Sequence, residues 1–282
     1  MNNTRAQLYL LKQYGFSDSI LEYIFESNYQ PIDVIFGNDS FINLQVEQHY
    51  TKKDNELAKD YHLFELFARN VKNKNDFLDD ENVKLYFKYD KNAIDKLLPR
   101  DKQPLFFYAK GNVDLIEQDF KRVSIIGTRK PNEDFIKKGR KAIKNYVNKG
   151  FVTVSGLAEG IDTLTHEVTL ELTGKTIAVL PTNFIEIYPK KNIKLVQDIS
   201  EKGLLLSAMG PYEHAYKSGF LERNTYVAAM CDELLVVQTN LKSGTMNTLR
   251  KASALGKKIY YLDQLNDEIN GKIIEYNGEE ME

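Results

Sequence analysis

The chain has 282 residues, 42% of them hydrophobic, enough for a full α/β domain with its own core plus a smaller one, and that composition fits neither a disordered protein nor a coiled coil. A net charge of −2 argues against a surface coated in non-specific nucleic-acid contacts but leaves local basic clusters open. The single cysteine, Cys231, excludes a disulfide framework and a Cys-rich zinc site.

The opening Met1-Asn2-Asn3-Thr4-Arg5 lacks an apolar signal core. No apolar run approaches the roughly 18 residues needed to span a bilayer. A cytoplasmic protein with no membrane contact is expected.

Residues 1–71 read as a small all-helical, SAM-like domain. Asn3 or Thr4 caps a helix through Gln13 that Gly15 closes, Ser17-Asp18 opens a second through Glu26, and Pro31 starts a short third piece ending near Gly37. A longer amphipathic helix over 52–71 carries Leu57, Tyr61, Phe64, Leu66 and Phe67 as its apolar positions. Helical modules of this size serve more often in docking or packing than in catalysis. The polar stretch 72–82 reads as a linker.

The remainder, 83–282, reads as an extended Rossmann-like domain. A strand over 83–89, a helical turn over 93–98 and an apolar strand over 104–108 lead into it. From 121 onward strand and helix alternate, with strands expected at 123–127, 151–155, 176–180, 203–207, 233–238 and 258–262. Such alternation requires crossover connections and so a parallel sheet with helices on both sides. The first helix, over 134–149, puts Ile136, Gly139, Ile143 and Tyr146 or Val147 on one face and meets Gly150 as its stop.

In a parallel sheet the segments that follow each strand meet along one edge, where open α/β sheets bind ligands. Here they are Gly127-Thr128-Arg129, then 155–162 (Ser-Gly-Leu-Ala-Glu-Gly-Ile-Asp), 181–192, 208–211 with 220–224, and 239–245 ending in Ser243-Gly244-Thr245. Small residues, hydroxyls and spaced cations suit a phosphate-bearing ligand, because bare amides at helix starts and Arg or Lys side chains both favour anions.

The Ser-Gly-Leu-Ala-x-Gly-Ile-Asp motif at 155–162, His166, Tyr188-Pro-x-x-Asn192, Arg223-Asn224 and Ser243-Gly-Thr245, in this order after Gly-Thr-Arg129, resemble the bacterial DNA processing protein A family, DprA or Smf. The lead-in at 104–112 is similar too, and the likeness covers roughly 83–262. The resemblance implies a cytoplasmic protein that binds single-stranded DNA as a homodimer, protects incoming DNA and helps load the RecA recombinase in natural transformation. It implies no catalytic step, cofactor or metal. This chain departs from the family by carrying Glu159 where Arg is usual, Thr225 for the second Arg of Arg-Asn-Arg, Ala208 after Ser207, and 181–184 for a Gly-containing loop.

On this reading the DNA-binding residues are Gly127, Thr128, Arg129, Ser155, Gly156, Lys190, Asn192, Arg223, Asn224, Ser243, Gly244 and Thr245. Arg129, Lys190 and Arg223 are read as phosphate contacts because each follows a strand end, with an internal ion pair as the other possibility. Ser155, Gly156, Ser243, Gly244 and Thr245 donate to a phosphate or simply form tight turns and a cap. Phe184 and Tyr188 flank a strand-end loop and are candidates to stack on bases. Asp162 reads as a helix N-cap and His166 as a packed residue, since His49, His62 and His214 lie far off in sequence and no metal spacing exists. Ser155 and His166 lack the Gly-x-Ser-x-Gly elbow of a hydrolase.

Two competing readings use the same sheet edge. One is a nucleotide-binding sensor or nucleoside-monophosphate hydrolase in which Glu159 serves as general acid or base. The other is a divergent relative that keeps the fold and binds only proteins.

Overall fold

The computed structural model describes residues 3–37, 39–73, 82–214 and 217–281. Among these residues nine strands form one sheet: β1 (Val83–Phe87), β2 (Phe106–Gly111), β3 (Arg122–Ile126), β4 (Val152–Ser155), β5 (Thr176–Leu180), β6 (Leu204–Ser207), β7 (Glu233–Val236), β8 (Lys258–Tyr261) and β9 (Gly278–Glu280). Their order across the sheet is β1-β2-β6-β5-β4-β3-β7-β8-β9. From β6 to β9 every pairing is parallel, whereas β2 pairs antiparallel with both β6 and β1. The expected parallel sheet thus gains an antiparallel edge.

Every residue of β3, β4, β5 and β6 is buried, which is why these runs lack polar alternation. Side chains along β3 still divide between the two faces. Val123 and Ile125 pack with Phe135, Ile143 and Tyr146, and Ile126 packs with Val227 and Met246 on the other side. The buried Ser124 sits among these because its hydroxyl donates to the Val227 carbonyl at 2.6 Å. Each buried aliphatic side chain of this kind contributes roughly 1.5–3 kcal/mol.

The helical region comprises α1 (Asn3–Tyr14), α2 (Asp18–Glu26), α3 (Pro31–Phe36), α4 (Ser40–Glu47), α5 (Lys52–Leu57) and α6 (Tyr61–Asn73). The single helix expected over 52–71 is two helices. A Thr51–Asp54 capping box opens α5, and the Asp60 carboxylate accepts from the Leu63 amide to open α6. Helix α4, absent from the sequence reading, starts on Asp39, whose side chain accepts from the amides of Phe41 and Ile42. One apolar cluster holds Leu8, Leu11, Ile20, Ile24 and Phe64 together with Phe87, Phe106 and Tyr108, so these helices share a core with β1 and β2. The linker expected at 72–82 falls largely outside the described residues.

Beyond β2 the longer helices are α7 (Glu133–Asn148), α8 (Ile161–Glu171), α9 (Ile193–Lys202), α10 (Lys217–Ala229), α11 (Gly244–Ala254) and α12 (Asp267–Glu275). Residues of α7 and α8 pack against one face of the sheet, and residues of α10, α11 and α12 against the other. No helix among the described residues is long and apolar enough to cross a membrane.

Candidate functional site

The segments that follow β3 and β4 interlock at the carboxyl edge of the sheet. Gly160, with φ +80°, lies so close to the backbone of Thr128 and Arg129 that a Cβ there would collide with both. At Gly127 a Cβ would collide with the Ile161 side chain. The Ile161 amide donates to the Thr128 carbonyl at 3.2 Å, and the Thr128 amide donates to the Gln238 carbonyl at 2.7 Å. A fully buried Leu157 at φ 58° turns the chain between these contacts.

The third member is Arg223 on α10. Its Nη1 donates to the Gly156 carbonyl, and a Cβ at Gly156 would occupy the guanidinium's place. The same Nη1 lies 3.5 Å from Asp162 Oδ2, with both side chains buried. Burial raises the Asp162 carboxyl above its usual range, against the pull of Arg223. Burial likewise lowers Arg223, with Asp162 opposing and Arg129 adding to the shift. Asp162 is therefore not the N-cap expected of it. Gly160 holds that position, and the carboxylate, one residue inside α8, instead accepts from the Ala158 amide at 3.3 Å and pairs with Arg223.

These contacts wall a cavity of about 610 Å³. Gly127, Thr128 and Arg129 line it together with Gly156, Arg223 and Asn224 and with Ser243, Gly244 and Thr245. Helix α11 points its amino end at this space. Ser243 caps it, accepting from the Met246 amide at 3.1 Å and sharing a hydrogen bond with Thr239 Oγ1 at 2.9 Å. Arg129 and Lys130 are exposed at the cavity and belong to no ion pair among the described residues. A second lobe of about 240 Å³ shares Arg129, Lys130 and Arg223 and adds Glu159, Pro181 and Tyr188.

Nine of the twelve residues chosen from the sequence line the larger cavity, and three do not. Ser155 is buried and donates to the Ile125 carbonyl at 2.7 Å. Asn192 is buried too, donating to the Leu157 carbonyl at 3.0 Å and to Thr163 Oγ1 at 2.8 Å, so it ties the loop after β5 to the loop after β4. Lys190 is exposed on the 3-10 turn Lys190–Asn192, outside the cavity wall. The neighbouring Lys191 pairs with Glu159 at 3.0 Å.

Phe184 packs against two apolar clusters and is only partly buried, whereas Tyr188 is exposed and meets Phe220 edge-on at 5.4 Å. His166 is a packed residue. It is wholly buried, its Nδ1 lies 2.7 Å from Thr176 Oγ1, and burial lowers its pKa to about 3. Among the described residues no group of three His, Cys, Asp or Glu is placed to hold a metal ion. The sequence reading missed Phe220, Val227, Asn240 and Thr248 on the wall. Phe220, Arg223, Asn224 and Val227 recur at helical spacing, and that period marks one face of α10.

A family model described as DNA recombination-mediator protein A matches residues 84–274. The DNA processing protein DprA of Streptococcus pneumoniae is 30% identical over 279 residues, which is 95% of this chain and 91% of that protein. DprA of Bacillus subtilis is 32% identical over 56% of this chain and 52% of its own length. Among solved structures, S. pneumoniae DprA superposes with a TM-score of 0.71 at 24% identity, covering 100% of this chain and 95% of that one, a likeness of fold. DNA processing protein A of Helicobacter pylori, whose structure addresses that protein's single-stranded DNA binding mode, gives a TM-score of 0.62 at 31% identity over 70% of this chain and 90% of its own. With its fold and its strand-end motifs in one place, the chain belongs to the DNA recombination-mediator protein A family.

Proposed function

We propose that the protein binds single-stranded DNA along the carboxyl edge of its sheet and acts, without a catalytic step, as a mediator that protects incoming DNA and helps load RecA during transformation. It works as a homodimer in the cytoplasm. The observation that carries this reading is the convergence of Gly127–Arg129, Gly156, Asn224 and the amino end of α11 on one cavity with Arg129 and Lys130 exposed beside it. Helix amino ends and guanidinium groups favour anions, and contacts to a phosphate backbone carry no sequence information. The single-stranded DNA binding of the H. pylori relative supports the same ligand.

Arg223 takes a supporting part. Its guanidinium is engaged by Gly156 and Asp162, so the phosphate contacts fall to Arg129 and Lys130, with Lys190 beyond the rim. A gel shift with oligo-dT at low salt tests the reading. Binding should prefer single strands over duplex and weaken steeply with salt, and Arg129→Ala should cut affinity several-fold and lower the salt slope by about 0.7. Equal affinity of wild type and Arg129→Ala would overturn the site assignment.

The cavity's volume also suits a single nucleotide, which favours the sensor or hydrolase as a second reading. Glu159 is held by Lys191 and Asp162 by Arg223, so neither carboxylate has the paired acid-base setting such chemistry uses. Release of free base from nucleoside monophosphates would establish that second reading.

A further inference from the structure

Gln13, near the end of α1, is 2% exposed although it is polar, and both ends of its amide are bonded to the sheet region. Its Nε2 donates to Tyr108 Oη on β2 at 2.8 Å and to Glu213 Oε1 at 3.4 Å, and its Oε1 accepts from the Tyr212 amide at 3.2 Å. Gly210 faces it closely enough that a Cβ there would overlap the amide. Lys12 beside it pairs with Glu213 at 3.2 Å and with Asp18 at 2.9 Å. Residues 210–214, which follow β6 and lead into α10, are thus gripped by α1.

The grip passes on to a second loop. The Glu213 carbonyl accepts from Asn183 Nδ2 at 2.9 Å, and Asn183 Oδ1 accepts from the amides of Ile185 and Glu186 at 2.9 and 2.7 Å. Glu186 in turn lies 3.2 Å from His214 Nδ1. The loop so held carries Pro181 and Tyr188 to the second lobe of the cavity. Buried polar networks of this kind fix one arrangement, because a buried donor or acceptor left without its partner costs about 1–3 kcal/mol.

We infer that Lys12 and Gln13 are positioning residues: through Glu213 and Asn183 the helical region holds the loop after β5 in the shape that completes the cavity. The helices then set ligand affinity without touching the ligand. The link to affinity rests on the single-stranded DNA reading above, and the positioning itself does not.

Two variants of the full chain break the grip from opposite sides. Gln13→Ala removes the amide, and Gly210→Ala displaces it from a backbone whose φ lies outside the left-handed region. Arg5→Ala is the control, because it breaks the Arg5–Asp90 pair between α1 and the turn after β1 without touching 210–214. Hydrogen exchange of the Ile185 and Glu186 amides in the ligand-free protein should speed up at least tenfold in both test variants and stay unchanged in Arg5→Ala. Oligo-dT affinity should fall three- to tenfold in the same two variants only. Unchanged exchange in both overturns the grip, and faster exchange with undiminished affinity overturns its link to the site. Failure of the wild type to bind oligo-dT would refute the DNA reading alone, with the exchange measurement still deciding the positioning.

Discussion

The guanidinium of Arg223 stands where a side chain at Gly156 would be, donating to that glycine's carbonyl from a helix 67 residues further along the chain. The glycine in the Ser-Gly-Leu motif is there for the arginine, and the arginine is there for Asp162, the last residue of the same motif. Within that motif Gly156 and Asp162 both engage Arg223, and this lock ties the segment after β4 to α10 at the wall of the cavity.

Gly156→Ala tests the lock. Its φ lies outside the left-handed region, so the added methyl acts by overlap alone and must push the guanidinium aside. Overpacking of this sort costs about 1–3 kcal/mol. Urea denaturation should show that loss, and oligo-dT titration should show a matching fall in affinity. Stability within about 0.5 kcal/mol of wild type would mean that Arg223 has other room.

The buried Asp162–Arg223 pair allows a double-mutant cycle. Removing either partner strands a charge away from water, so Asp162→Asn and Arg223→Met should each destabilise by about 3–5 kcal/mol. The double variant leaves no uncompensated charge and should be less destabilised than the sum by at least about 1 kcal/mol. Additive losses would show that the 3.5 Å approach carries no coupling.

His166 fixes a pH dependence. Its folded pKa is lowered, first by burial and then by Arg223, from 6.5 to about 3. A group with a depressed folded pKa supports the fold above its unfolded pKa, and this support is lost as pH falls from 6.5 towards 3, because the unfolded chain takes up the proton first. Between pH 7 and pH 5 that loss amounts to about 2 kcal/mol for one histidine. Urea denaturation at both pH values should show wild type losing about that much more than His166→Gln. Equal losses would place the imidazole in water, contrary to its complete burial.

The Rossmann-like half was legible because β3 to β6 are short apolar runs bounded by glycine and followed by helical periods, and each signal is local. The meeting of Gly127, Gly156, Asn224 and Gly244 followed from topology alone, since parallel strands share a carboxyl edge. What the sequence hid was who pairs with whom. Nothing adjacent to Arg223 says that its partner is Asp162, and nothing near Asn192 says that its amide reaches Leu157. A strand-end cation and a buried structural cation look alike until burial is known. The break between α5 and α6 was missed because Leu57, Tyr61 and Phe64 keep a helical spacing across it, and the Asp60 cap is a weaker signal than that period.

Glu159 stands where the resemblance leads one to expect Arg, and its charge can be reversed without touching the lock. The side chain lies at the second lobe and, among the described residues, its one ion pair is with Lys191 at 3.0 Å, with side-chain exposures of 42% and 58%. An exposed pair of this kind contributes about 0–1 kcal/mol, so Glu159→Arg should leave stability nearly unchanged. It should act on binding instead. The variant removes an anion beside the expected phosphate path, frees Lys191 and adds a guanidinium, so oligo-dT affinity at low salt should rise and the salt slope should steepen by about 0.7 for each further phosphate neutralised. Glu159→Ala, which frees Lys191 without supplying a new cation, should fall between wild type and Glu159→Arg. Affinity unchanged across the series would mean that the strand does not pass the second lobe, and the path would then run from Arg129 toward Ser243 alone.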